Sequence, residues 1–294
     1  MVKEIPRDQG IYVFSPGNPP VATVDPGEEI VFSTLDAFSG QISSESDSPA
    51  ELDFSAVNAA TGPVFVAGAS PGDTLKVEVL EISLDEVGYQ CVVPGFGLLK
   101  DRFTSPAVRE CRVREGWVHV GEERVRSSSS IGTIGVAPAE QEIPTIQPGD
   151  HGGNLDAREI GEGVALYLPV SVEGALLAMG DVHAVQGDGE VCGVAVEIGA
   201  RIRVRVSLVP GRVSRPVVVT RDSVITLASA EDLDEAAETA TGDMVDLWAR
   251  AGYDPLKTYL DLTLMGHLGV SQMVNPWKTA KMVAPRPEGF TLDQ

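Results

Sequence analysis

The sequence predicts a mainly β protein with an α+β C-terminal part. Three observations carry this. A glycine turn followed by alternating apolar residues recurs in DPGEEIVFST from Asp25, SPGDTLKVEVLEI from Ser70 and EIGARIRVRVSLV from Glu197. Alternation of period two buries one face of a strand. The chain of 294 residues carries 31 Gly and 20 Pro, a supply of turns that suits many short strands. After Leu227 the apolar spacing changes to three and four, the period of a helix.

Taken in order, residues 1–130 read as an N-terminal β-rich region. Strands and loops run from Ile5 to about Val125, and the polar QISSESDSPAEL (Gln41 to Leu52) forms a surface loop. Residues 131–228 form a central β region. It is entered through a long, small-residue-rich and irregular stretch, Arg126 to Asp156, of the kind that is functional when it occurs in a compact protein. Strands return from Gly163 to Leu208. Residues 229–294 form the helical and strand region. Leu233, Ala236, Ala237, Ala240, Met244 and Leu247 share one helical face, closed by Gly252 and Pro255. A second helix covers Leu256 to about Leu268, and a final strand spans SQMVNPWKTAKMVAP.

Hydrophobic residues make up 43% of the chain, enough for a sizeable core, and the formal net charge is -21. That charge argues against nucleic acid and anionic membranes as partners. Three cysteines, Cys91, Cys111 and Cys192, give no disulfide framework and point to a reduced, cytoplasmic setting. The N-terminus lacks a signal-peptide core, and no window approaches the ~20 apolar residues of a membrane span.

Candidate chemistry concentrates in GDVHAVQGDGEVCG, residues 180 to 193. If Asp188 and Gly189 form a two-residue turn, Val185 faces Cys192 and His183 faces Val194. Asp181, His183 and Glu190 then share one face, a plausible ligand set in apolar flanks where buried carboxylates need partners or a cation. A second stretch, PGDHGGNLDAREIGEG, offers His151, Asn154 and Asp156. Taken alone it reads as a polar loop with an Asx-type turn. Asp36, in STLDAFSGQ, taken alone caps a strand end. His119 and His267 read as structural, and Cys192 as a small buried residue. Ser127 to Ser130 contain no nucleophile elbow, and no phosphate loop or dinucleotide fingerprint occurs.

The segments HGGNLD, GDVHAVQGDGEVCGVAVE and SQMVNP, with TLDAFSGQI near Asp36, resemble the acetamidase/formamidase family in order and spacing. The resemblance runs from about residue 10 to residue 285. It implies a jelly-roll-like β-sandwich with a smaller β-barrel-like part and an α+β part, assembled as a homodimer or higher homo-oligomer. It also implies hydrolysis of short aliphatic amides such as formamide and acetamide, and a divalent metal, zinc or calcium. Asp36, His151, Asp156, Asp181, His183 and Glu190 match the family's motifs. On this basis Asp36, Asp156 and His183 are expected to bind a metal that activates water. Glu190 is the expected general acid/base. His151 or Asp181 would orient or complete the shell, and Asn154 or glycine amides would hold the oxyanion. Three alternatives stand beside this: a metal-dependent hydrolase of a longer or cyclic amide, a non-catalytic jelly-roll module holding Ca²⁺, and a Cys192-dependent amidase.

Overall fold

The computed structural model describes residues 2–209 and 213–293. A nine-stranded and an eleven-stranded sheet face each other. Ile30, Phe32, Leu75, Val77, Ile202 and Val204 of the first pack in one buried cluster with Val64, Ile131, Ile134, Met179, Val182 and Ile198 of the second. This is the two-layer solution open to strands with one apolar face.

The C-terminal part covers the other face of the nine-stranded sheet. In the strand Ser223–Ala230, Ile225 and Leu227 point into the sandwich. Val224 and Ala228 point outward against Ala240, Met244 and Leu247 of helix α1, Leu233–Arg250. Asp232 caps α1 by accepting from the amides of Asp234 and Glu235. Asp254 caps helix α2, Pro255–Met265, with proline in its first turn. No helix among the described residues is long and apolar enough to cross a membrane.

Three expectations need correction. The stretch read as an irregular loop contains the strand Ser130–Gly135, buried at every position. Its Ser, Gly and Thr residues concealed it, although a strand fully covered on both faces needs no polar–apolar alternation. The single C-terminal strand is two, His267–Gln272 and Lys278–Pro285, paired antiparallel. His267 therefore opens a strand instead of closing α2. The nine-stranded sheet takes Lys3–Ile5, Ala200–Val209 and Lys278–Pro285 together. Finally, Asp188 and Gly189 do form a turn, the Glu190 amide donating to Gly187 O at 3.2 Å, but its flanks do not pair as the expected hairpin. His183 pairs with Glu197, and Val182 with Ile198. Residues 184–196 form a loop.

That register builds the site. The strand Leu177–His183 lies inside the eleven-stranded sheet, with Ser130–Gly135 on one side and Glu197–Ile198 on the other. Directly paired residues project to the same face, so Glu197 stands beside His183. The 184–196 loop is pinned from the other sheet. The Gly189 amide donates to Val270 O and Ser271 O, and the Met273 amide donates to Gly189 O. The Lys281 ammonium, almost fully buried, binds Asp188 at 2.5 Å and Glu159 at 2.7 Å. These contacts, with the local bonds from the Glu190 amide to Gly187 O and from the Gly193 amide to Glu190 O, fix Glu190.

Candidate metal and active site

Four buried carboxylates surround one buried imidazole. His183 Nε2 lies 3.3 Å from Asp181 Oδ1 and 3.3 Å from Glu197 Oε2. It lies 3.9 Å from Asp156 Oδ1 and 3.9 Å from Glu190 Oε1. Three of these carboxylates have one oxygen engaged by the protein. Asp156 Oδ2 accepts from Asn275 Nδ2 at 2.6 Å, and one Glu197 oxygen accepts from the Ala195 amide at 2.6 Å. Asp181 Oδ2 is engaged more weakly, 3.4 Å from the Thr133 hydroxyl. The other oxygen of each faces His183.

The imidazole is oriented from behind. Gln186 Nε2 donates to the Asp156 carbonyl at 2.7 Å. That contact turns Gln186 Oε1 toward His183 Nδ1, 2.8 Å away. A carbonyl oxygen accepts only, so Nδ1 carries the hydrogen and the neutral ring presents the Nε2 lone pair to the carboxylates. A lone pair facing four acids is repulsive unless a cation or a proton sits between them. Burial works against protonation of His183, but the Glu197 and Asp181 carboxylates outweigh it and raise its pKa. Burial first, then the neighbouring acids, lifts the carboxylates: Asp181 to about 6, and Asp156 and Glu190 well above the ordinary range.

The residues fit a divalent ion. His183 Nε2, Asp156 Oδ1 and Glu197 Oε2 are buried without hydrogen-bond partners. Two groups have ligand atoms close enough to share an ion, Asp181–His183–Glu197 and Asp156–His183–Glu190. The 3.3 Å separations around Nε2 match the edge of a tetrahedron with bonds of about 2.0–2.1 Å, as for zinc. Gly132 completes the cradle, since a Cβ there would lie 2.6 Å from Asp156 Oδ1 and 2.6 Å from Asp181 Oδ2. Asp156, Asp181 and Glu190 all adopt positive φ, at 45°, 53° and 45°. Left-handed backbone costs about 1–2 kcal/mol per non-glycine residue, and its concentration here marks a constellation held by its surroundings.

The other sequence candidates lie elsewhere or at the edge. Asp36 sits in the turn after Glu29–Thr34, where its carboxylate accepts from the Gly40 amide at 3.1 Å. It belongs to neither close group. His151 is buried against Phe14, ring centroids 5.1 Å apart, and also stands outside both groups. Burial holds its pKa down to about 4. Asn154 lines the cleft. Its Oδ1 accepts from Thr133, which leaves its amide nitrogen for a ligand. His119 is half-buried in Trp117–Val120. Cys192 Sγ lies 3.1 Å from the Val194 carbonyl.

Four contributors escaped the sequence reading: Glu197, Gln186, Asn275 and Gly132. Glu197 had a signal, a lone acid between apolar VCGVAV and IGA that would be costly to bury unpartnered. The Asn-Pro pair at Asn275 was also a turn signal inside the supposed strand. Gln186 and Gly132 act through tertiary neighbours and left none.

Asp181, Glu190, Glu197, Asn154 and Asn275 form the polar floor of a cleft of about 570 Å³. Fold and cluster together define a two-sheet β protein with a buried histidine–carboxylate cluster, able to hold a cation, at the floor of a cleft. The sequence pattern of the Acetamidase/Formamidase family matches residues 6–144 and 139–282. Among solved structures, an acetamidase from Bacillus halodurans superposes with a TM-score of 0.94 at 37% identity, covering 96% of this chain and 97% of that one. A predicted acetamidase/formamidase from Thermoanaerobacter tengcongensis gives a TM-score of 0.92 at 39% identity, over 97% and 96%. A formamidase from Methylophilus methylotrophus is 27% identical over 68% of this chain, a match spanning 64% of that protein. The chain belongs to the acetamidase/formamidase family.

Proposed function

We propose that the protein is an amidohydrolase that converts short aliphatic amides, formamide and acetamide among them, to carboxylate and ammonia. The observation that carries this reading is the convergence of four carboxylates on His183 Nε2 at the floor of a cleft. The family and its acetamidase and formamidase relatives support it.

Asp181, His183 and Glu197 hold a divalent cation in this reading, with Asp156 behind them. The mixed nitrogen and oxygen donors favour zinc over calcium, which prefers oxygen alone. When bound, the cation acidifies a water and polarises the amide carbonyl. Gln186 keeps the His183 lone pair directed inward. Glu190, on the loop rather than on a strand, takes a proton from the attacking water and gives it to the departing nitrogen. As the C–O bond forms and the C–N bond breaks, the Asn154 amide donates to the carbonyl oxygen, where charge develops. Asp36 and His151 support the surrounding turns and take no part in this scheme.

Glu190→Gln tests the assignment. It should keep the metal content of the wild type and lower kcat by about 10²–10⁴-fold, the range for losing a general acid/base. A near-normal rate would remove Glu190 from the chemistry.

The reading includes a cytoplasmic homo-oligomer. The free cysteines Cys91, Cys111 and Cys192 accord with a reduced compartment, and the exposed apolar face of α2 supports self-association.

A further inference from the structure

The cleft is far larger than the amides named above require. Acetamide has four heavy atoms, whereas the cleft measures about 570 Å³, within the roughly 300–1,000 Å³ of drug-sized ligand sites. The carboxylates are confined to one end, around Asp181, Glu190 and Glu197. The rest of the wall is mainly apolar, with Phe38, Phe54, Val57, Phe96, Ile146 and Val194 alongside Lys100 and Lys278. Phe96 is seated against Gly193, where a Cβ would lie 2.5 Å from its ring, so the wall is built up to the edge of the site loop. It continues to the mouth, where Phe54 is 58% and Leu98 51% exposed. A small polar amide at the floor would leave this surface wetted.

From this geometry we infer that the cleft binds amides with an apolar acyl group of four or more carbons, alkyl or phenylalkyl, and handles them better than acetamide. The inference rests on the amidohydrolase reading. The carboxamide lies at the His183 floor and the acyl chain runs along the phenylalanine wall. Each added methylene that leaves water contributes as hydrophobic transfer does. The bonds made and broken are those of the shorter amides: water oxygen joins the acyl carbon, the C–N bond breaks, and the water's proton leaves with ammonia.

The test is kcat/KM of the zinc-loaded protein on formamide, acetamide, butanamide, hexanamide and 3-phenylpropanamide. Calorimetric binding of acetate, butanoate and hexanoate runs beside it. We expect kcat/KM and carboxylate affinity to rise about fourfold per methylene. A Phe54→Ser/Ile146→Ser double variant, altering two half-exposed wall positions, should flatten that slope. Turnover of formamide and acetamide with flat or falling values for longer chains would overturn the inference and leave the amidohydrolase reading standing. Absence of any turnover would overturn that reading. The carboxylate series would still decide the cleft, since affinities independent of chain length would show that the wall is not used.

Discussion

At the residue scale the account rests on how few positions have freedom. The Nε2 atom of His183 can be a ligand because Gln186 fixes the tautomer, and Gln186 is itself fixed by a backbone carbonyl. Gly132 is the tightest of these constraints, because any Cβ would strike two site carboxylates at 2.6 Å. Gly132→Ala should therefore lower bound metal at least tenfold and reduce kcat/KM in parallel, at a stability cost of about 1–3 kcal/mol for overpacking. Metal analysis and denaturant titration check this, and a variant with full metal content would show that the cradle does not depend on the glycine. The sequence made His183, Asp181 and Glu190 legible, because acids beside a scarce histidine in apolar flanks demand a partner. It could not reveal Gly132 or Gln186, whose roles exist only once distant segments meet.

At the scale of elements, strand periodicity and helix caps were legible and register was not. Asp188–Gly189 forms the turn its local signature predicts, with the Glu190 amide donating to Gly187 O, but Gly189 also bonds to the strand His267–Gln272 and Asp188 to Lys281, and the flanks do not pair as a hairpin. Partners distant in the sequence thus hold the turn without letting it extend into a hairpin, and the register brings Glu197 to His183 in place of Val194. Helix α2 shows the opposite case, a local pattern with an unpartnered consequence. Leu256, Tyr259, Leu260, Leu264 and Met265 are all about half exposed or more. The only charges on the helix, Lys257 and Asp261, pair with each other at 2.6 Å. A neutral apolar face on a chain of charge -21 suits a second copy of itself. With neighbouring Tyr253 and Leu268 it offers on the order of the ~800 Å² per partner of a standard interface. Light scattering should find a dimer or larger assembly. Leu264→Glu, at a position 81% exposed, should weaken association by tenfold or more with little change in secondary structure. A wild-type monomer at tens of micromolar would contradict this.

For the whole molecule, the abundance of strands and the C-terminal helices followed from the spacing of apolar residues, and the sandwich from the family resemblance. Sheets assembled from both ends of the chain bring Asp156, Asp181, Glu197 and Asn275 to one point, so in the proposed reading cation binding depends on the fold as a whole. The raised carboxylate pKa values have a signed consequence. Without metal, the folded state holds protons that the unfolded chain releases above its ordinary carboxylate pKa. This contribution is complete at low pH and is lost as pH rises through about 6 for Asp181. A cation replaces those protons, so the gain in Tm on adding zinc should grow from pH 5.5 to pH 8. Taking the difference between loaded and stripped protein at each pH cancels the effect of His151, which titrates in the opposite sense.

The most direct measurement is ammonia release from acetamide by protein as purified, stripped with chelator, and restored with Zn²⁺ or Ca²⁺, beside His183→Ala. The account predicts that stripping abolishes release, that zinc restores it more fully than calcium, and that His183→Ala is inactive under every condition. Full-rate release from protein verified to be metal-free, or an active His183→Ala, would contradict the assignment of the chemistry to this centre.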